Sequence, residues 1–259
     1  MRKLITFLLL TYAFTAGAQI NIRIDATSST TLISPMLYGI FYEDINHAEL
    51  IRNRSFEDNE TEAEAWSPYI SVNGRVRMRL VRDKLMNRVQ RQALHVVTTG
   101  IGDTDAGVQN EGFWGINAVK GRTYRVSMWI KVKRTRGIYE MLKGKNGTKF
   151  YASARLRFDM MNDGWQKATA TLTSTANDPE ARFVISSTGN SEFSLDMVSL
   201  FPQTYKNREN GLRPDLVEML CALHPRFMRF PGGCFVEGQD TPDNAFLWER
   251  TIGPVEERP

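Results

Sequence analysis

Between residues 74 and 200 apolar side chains recur at every second position in short runs, a period that belongs to β-strands. In 74–80, Val76, Met78 and Leu80 share one face and arginines occupy the other. In 123–132, Tyr124, Val126, Met128, Ile130 and Val132 repeat the scheme. Runs at 152–158, 166–172, 181–186 and 193–200 add further short strands. Turn signals separate them at Lys120-Gly121, Asn146-Gly147, Asn162-Asp163-Gly164 and Gly189-Asn190. Many short strands without a long helical period predict an antiparallel β-sandwich, and the span suffices for one independent domain.

The flanks follow a different grammar. Near the C-terminal end, Leu216, Met219, Leu220 and Leu223 lie on one helical face, with Pro214 suited to the first turn. The apolar run 227–230 follows, stopped by Pro231 and then Gly232-Gly233. Helix, short turn, buried strand and glycine-rich loop make one α/β unit, with its loop at the strand end where α/β barrels do their chemistry. Far upstream, the apolar run 37–42 ends in Glu43 and Asp44. The region 48–51 reads as a short helical turn, and 20–25 as a half-buried strand.

The stretches LYGIFYEDINHAELIRNRSFE (37–57), GLRPDLVEMLCALHPRFMRFPGGCFVEG (211–238) and TIGPVEERP (251–259) resemble the start of a family 51 glycoside hydrolase. Those enzymes are chiefly α-L-arabinofuranosidases. Between the flanks, GVQNEGFWGINAVKGRTYRVSMWIKV (107–132) and FSLDMVSLFP (193–202) resemble family 4/9 carbohydrate-binding modules, which are jelly-roll, galactose-binding-like sandwiches. The expected fold is therefore α/β plus all-β: an incomplete (β/α)8 barrel start with an inserted antiparallel β-sandwich. The expected segments are a signal peptide at 1–18, a first barrel segment at 19–57, the module at 58–203 and a truncated barrel continuation at 204–259. The resemblance also implies that this chain is shorter than its relatives around Ala48, at the mouth of the site.

A complete barrel takes about 250 residues by itself, and this chain has 259 with a sandwich among them. The barrel cannot close here. Either the chain is the N-terminal piece of a longer protein, or the barrel resemblance does not describe its fold.

The first residues read as an export signal: Arg2 and Lys3, an apolar run from Leu4 to Phe14, and Ala16-Gly17-Ala18 as a cleavage site. The run is short for a permanent membrane anchor, so a periplasmic or secreted protein is expected. Without Arg2 and Lys3, the 33 basic residues become 31 against 29 acidic ones, so the charge gives little support for nucleic-acid binding. The arginine face of Arg75, Arg77, Arg79 and Arg82 reads as a solvated surface. Cys221 and Cys234 could pair in an exported protein, but one falls mid-helix and the other in the loop beyond the next strand, so two free thiols are the favoured reading of the two. The three histidines, His47, His95 and His224, lack metal-ligand spacing, so neither metal nor cofactor is expected.

Glu43 is the foremost site residue. A carboxylate after an apolar run must reach solvent or a partner, and a strand-end salt bridge would also satisfy it. By resemblance it matches an acid that holds sugar hydroxyls. Cys234 matches a pocket-lining position, its other reading being a small apolar filler. Trp248 reads as the wall of a sugar subsite or as core. Trp129 falls on the polar face of its strand, as a sugar-stacking platform or a contact with the barrel. Phe113, Trp114 and Trp165 sit near turns and are expected in the core. A retaining glycosidase needs two carboxylates about 5–5.5 Å apart. The resemblance puts both on later barrel strands, so no catalytic residue is assigned here. The implied partner is an arabinose-containing polysaccharide. The rival is a carbohydrate-binding protein without catalysis; a third reading, a nucleic-acid binder, would show strong salt dependence.

Overall fold

A computed structural model describes residues 22, 23, 27, 32–41, 49–147, 149–208, 211–230, 236, 245 and 247–258. The expected export signal and all of the expected early strand except Ile22 and Arg23 fall outside these residues, as do Glu43 and Cys234. Residues 1–38 form one unit, in which Pro35–Leu37 make a 3-10 turn capped by Ser34, whose Oγ accepts the Met36 N–H. Residues 39–259 form the other.

The second unit is mostly β-structure. Its strands are β1 (Ile40–Phe41), β2 (Trp66–Ile70), β3 (Arg75–Val81), β4 (Ala93–Thr99), β5 (Asp105–Asn110), β6 (Ile116–Ala118) and β7 (Thr123–Arg134). They continue as β8 (Ile138–Lys143), β9 (Phe150–Arg155), β10 (Gln166–Thr173), β11 (Asp178–Thr188), β12 (Ser191–Pro202) and β13 (Met228–Arg229). One helix, α1 (Pro214–Ala222), precedes β13.

Two antiparallel sheets carry the bulk of the chain. One has the order β10-β7-β12-β4-β3, the other β2-β5-β11-β8-β9 with β6 also on β11. Val96, Tyr124, Val126, Met128, Ile130, Phe193 and Leu195 of the first share one core with Trp66, Val108, Ile138, Leu142, Phe183 and Ile185 of the second. Burial of that apolar surface is the main stabilising term. The period-two reading holds on β3, where arginines are exposed and Val76, Met78 and Leu80 pack against the core.

Residues 49–57 pack with these sheets, since Ile51 and Phe56 are in the same core. The expected helical turn at 48–51 is absent over its described residues 49–51. Instead the Leu50 N–H donates to the Leu200 carbonyl, and Glu49 Oε1 accepts the Ile51 and Leu200 N–H groups. A bulge in β12 makes room: the register shifts between Asp196 and Ser199, and Met197 takes φ 48°. Val198 N–H is thereby turned to the Arg54 carbonyl.

The flanks differ from expectation in burial. Helix α1 forms where the period placed it, yet Met219 and Leu223 are exposed, as are Phe227, Met228 and Phe230. The strand pair β1–β13 has no further strand beside it among the described residues. Trp114, expected in the core, is 89% exposed. It sits in the turn between β5 and β6, where Gly112 and Gly115 take positive φ and turn the chain outward. Trp165 is half-buried and its indole N–H donates to the Lys84 carbonyl, 2.8 Å away.

Candidate functional site

Strands β1 and β13 pair in parallel, Ile40 against Met228 and Phe41 against Arg229. The Ile40 N–H donates to the Phe227 carbonyl at 3.0 Å. Gly39 lets the Phe227 ring approach, because a Cβ there would stand 2.4 Å from it. The Arg229 guanidinium lies 4.9 Å from the centre of the Phe41 ring. Both strands leave the pair at the same end. The segments that follow carry Glu43 and Cys234, which lie outside the described residues. Trp248 opens a 3-10 turn, Trp248–Thr251, and is largely exposed.

Trp129 lies on the outer face of the five-stranded sheet. Cross-strand register sets three rows there: Thr171–Arg125–Phe201, Thr169–Ser127–Ser199 and Lys167–Trp129–Asp196. At the third row, Trp129, Lys167 and Met197 line a cleft of about 350 Å³ together with Gly253, Pro254, Val255 and Glu256. Side-chain amides fix that last segment, since Asn87 Nδ2 and Gln90 Nε2 both donate to the Glu256 carbonyl, at 2.6 and 3.0 Å. Ser127 also borders a larger groove of about 830 Å³. The groove is lined by Arg125, Val126, Ser127, Ala154, Arg155, Arg157, Thr169, Ala170, Thr171 and Phe201.

Beside the cleft lies a buried polar cluster. Asp196 is fully buried; its Oδ1 accepts the Met197 N–H at 2.7 Å, while Oδ2 has no partner. Burial pushes its carboxyl up to about 8, against the Met197 hydrogen bond, with Glu57 raising it further and Arg54 opposing. Glu49 is likewise raised by burial, opposed by Arg54 at 3.9 Å and by its backbone hydrogen bonds. These groups tie residues 49–54 to β12. Among the described residues no group of three His, Cys, Asp or Glu side chains is placed to hold a metal ion. What the outer face offers is hydroxyls, guanidinium groups and a half-buried indole, which suits hydrogen bonding and stacking to a sugar chain.

The structure thus brings Trp129 to the segment at 253–256 and leaves Trp248 apart from both grooves. Sequence reasoning missed Arg125, Arg155 and Arg157. They come from β7, β9 and the chain beyond β9, and only the β10–β7 register with the Arg157–Thr169 bridge brings them together.

Residues 48–192 match the family model of a carbohydrate binding domain, and residues 219–259 match the α-L-arabinofuranosidase 1 domain. The chain is 35% identical to the extracellular exo-α-L-arabinofuranosidase of Streptomyces chartreusis, over 92% of this chain and 30% of that protein. It is 33% identical to α-L-arabinofuranosidase 1 of Arabidopsis thaliana, over 93% of this chain and 37% of the relative. A solved arabinose-bound α-L-arabinofuranosidase of glycoside hydrolase family 51 superposes with a TM-score of 0.76 at 29% identity, covering 87% of this chain and 38% of that one. The chain therefore spans about a third of the length of these relatives.

Proposed function

The chain belongs to the family 51 glycoside hydrolases and contains a carbohydrate-binding domain, and from that premise we propose that it is the N-terminal portion of an exported, retaining α-L-arabinofuranosidase. In this reading residues 19–57 and 204–259 open a (β/α)8 barrel and the sheets between them are an inserted jelly-roll module. The substrate is a plant polysaccharide carrying terminal arabinofuranose, and the protein is periplasmic or secreted.

The observation that carries the reading is the β1–β13 pair. Two segments separated by the whole double-sheet unit pair in parallel, and a helix leads into the second strand. Parallel neighbours joined through a helix are the building unit of α/β barrels. In this account Glu43 holds sugar hydroxyls, Cys234 lines the same pocket and Trp248 walls a subsite. Trp129 serves as the module's contact with the barrel continuation, since it shares its cleft with residues 253–256.

Both catalytic glutamates belong to later barrel strands, so the chain alone binds arabinose-containing polysaccharide without cleaving it. The test is a native gel cast with arabinan, run beside an assay of arabinose release from a chromogenic arabinofuranoside. Retardation without release is expected. Release beyond a contamination control, or unchanged mobility, would count against the proposal.

One observation favours a second reading, a carbohydrate-binding protein without catalysis. The two sheets share one buried core, while Met219 of α1, Leu223 after it and Met228 of β13 are exposed. Limited proteolysis separates the two: a lone module leaves a protected core near residues 49–203, whereas ends that resist digestion favour the barrel.

A further inference from the structure

The larger groove on the outer face of the five-stranded sheet has a charge that the neutral-sugar reading leaves unused. Its lining contains Arg125, Arg155 and Arg157 and no Asp or Glu. All three arginines are exposed, and none forms an ion pair with a described residue. Arg125 is held in place by neutral acceptors, the Thr204 hydroxyl at 3.2 Å and the Arg208 carbonyl at 2.9 Å. Ser127, Thr169 and Thr171 add hydroxyls on the same face, while the side chains of Val126, Ala154 and Ala170 pack toward the core beneath it. At about 830 Å³ the groove has room for several sugar rings.

We propose that this groove binds uronate residues of an acidic polysaccharide, with the guanidinium groups of Arg125, Arg155 and Arg157 taking the sugar carboxylates. The planar fork of arginine matches a carboxylate through two parallel hydrogen bonds. The hydroxyls of Ser127, Thr169 and Thr171 take ring hydroxyls. A single-stranded nucleic acid is the poorer fit, because it needs aromatic faces on which bases stack. The groove's only aromatic ring belongs to Phe201, which is 9% exposed. The inference deepens the polysaccharide-binding reading by naming the sugar class at one site of the same module.

The test uses the full chain in affinity gels containing polygalacturonate, the same polymer with its carboxyl groups reduced, neutral arabinan, or a single-stranded DNA oligonucleotide. The variants are Arg155→Ala and Arg157→Ala, whose side chains are exposed; thermal melts check that they fold. Polygalacturonate is expected to retard the wild type, with about a tenfold loss of affinity in each variant and with added salt weakening binding. Equal affinity for the carboxyl-reduced polymer, an unchanged affinity in both variants, or DNA binding as tight as polygalacturonate would each overturn the inference. Retardation by arabinan but not by polygalacturonate refutes this inference alone. The reverse pattern upholds it and refutes the neutral-ligand reading of the module; retardation by neither refutes both.

Discussion

Replacing Glu140 by methionine should make the protein more stable at alkaline pH and flatten its pH dependence. Glu140 lies on β8 between Ile185 of β11 and Ala154 of β9, fully buried, with neither carboxylate oxygen hydrogen-bonded. An unpartnered buried charge is costly, so the group keeps its proton. Burial raises its pKa from 4.5 to about 8. The folded state therefore holds this proton more tightly than the unfolded chain. The stabilising contribution is fully present below about pH 4.5 and is lost as pH rises through about 8. Between pH 5 and pH 8 the wild type should lose roughly 3–4 kcal/mol from this residue alone. Asp196, raised from 3.8 to about 8 by burial, adds a slope of the same sign. Glu140→Met, close in volume and apolar, removes the first contribution and leaves the second. Urea denaturation at intervals from pH 5 to pH 8 measures the difference between the two proteins. Parallel pH profiles would show that Glu140 does not hold its proton in the folded state, and the reasoning would fail.

Four further outcomes are expected. Phe56→Ala should cost about 3–5 kcal/mol, because the ring is fully buried with its centre 5.3 Å from that of Trp66; denaturant midpoints check it. Gly115→Ala should cost on the order of 1–3 kcal/mol, since φ is +97° and a Cβ would meet Glu180 Cα at 2.6 Å; a lowered melting temperature is the readout. Trp129→Ala should speed proteolysis near residues 253–257 while leaving arabinan retardation within about twofold, and the opposite pattern would make Trp129 a sugar platform. In the whole enzyme, Glu43→Gln should lower kcat/KM for arabinofuranosides by about tenfold or more, the scale expected for losing a charge-assisted hydrogen bond; an unchanged value would remove Glu43 from the site.

Legibility in the sequence followed burial. Strands β3, β7 and β10 could be read because one face of each is wetter than the other, which leaves the period of two intact. Strand β4 is apolar on both faces over Leu94, Val96 and Val97, so alternation vanishes. Strand β8 buries Glu140 and Lys143, charged residues that a pattern reading assigns to the surface. Strand β5 is polar at Asp105, Gln109 and Asn110, and Gly107 interrupts it; its pairing with β11 and β2 makes it a strand. Helix α1 was legible from its apolar spacing and Pro214. Trp129 stood out because a tryptophan on a polar face has no folding reason to be there. The arginine groove was not legible at all. Its arginines are spread from 125 to 157, and their proximity comes from strand register and one bridge between Arg157 and Thr169.

The central claim is that this chain is the opening of a barrel enzyme with a sugar-binding module set into it. Reading the coding DNA beyond the codon for Pro259 tests it most directly. The account predicts a continuing frame with further strand–helix units and two glutamates at strand ends, placed to meet about 5–5.5 Å apart. A stop codon with no barrel after it, or an unrelated domain in frame, would contradict it.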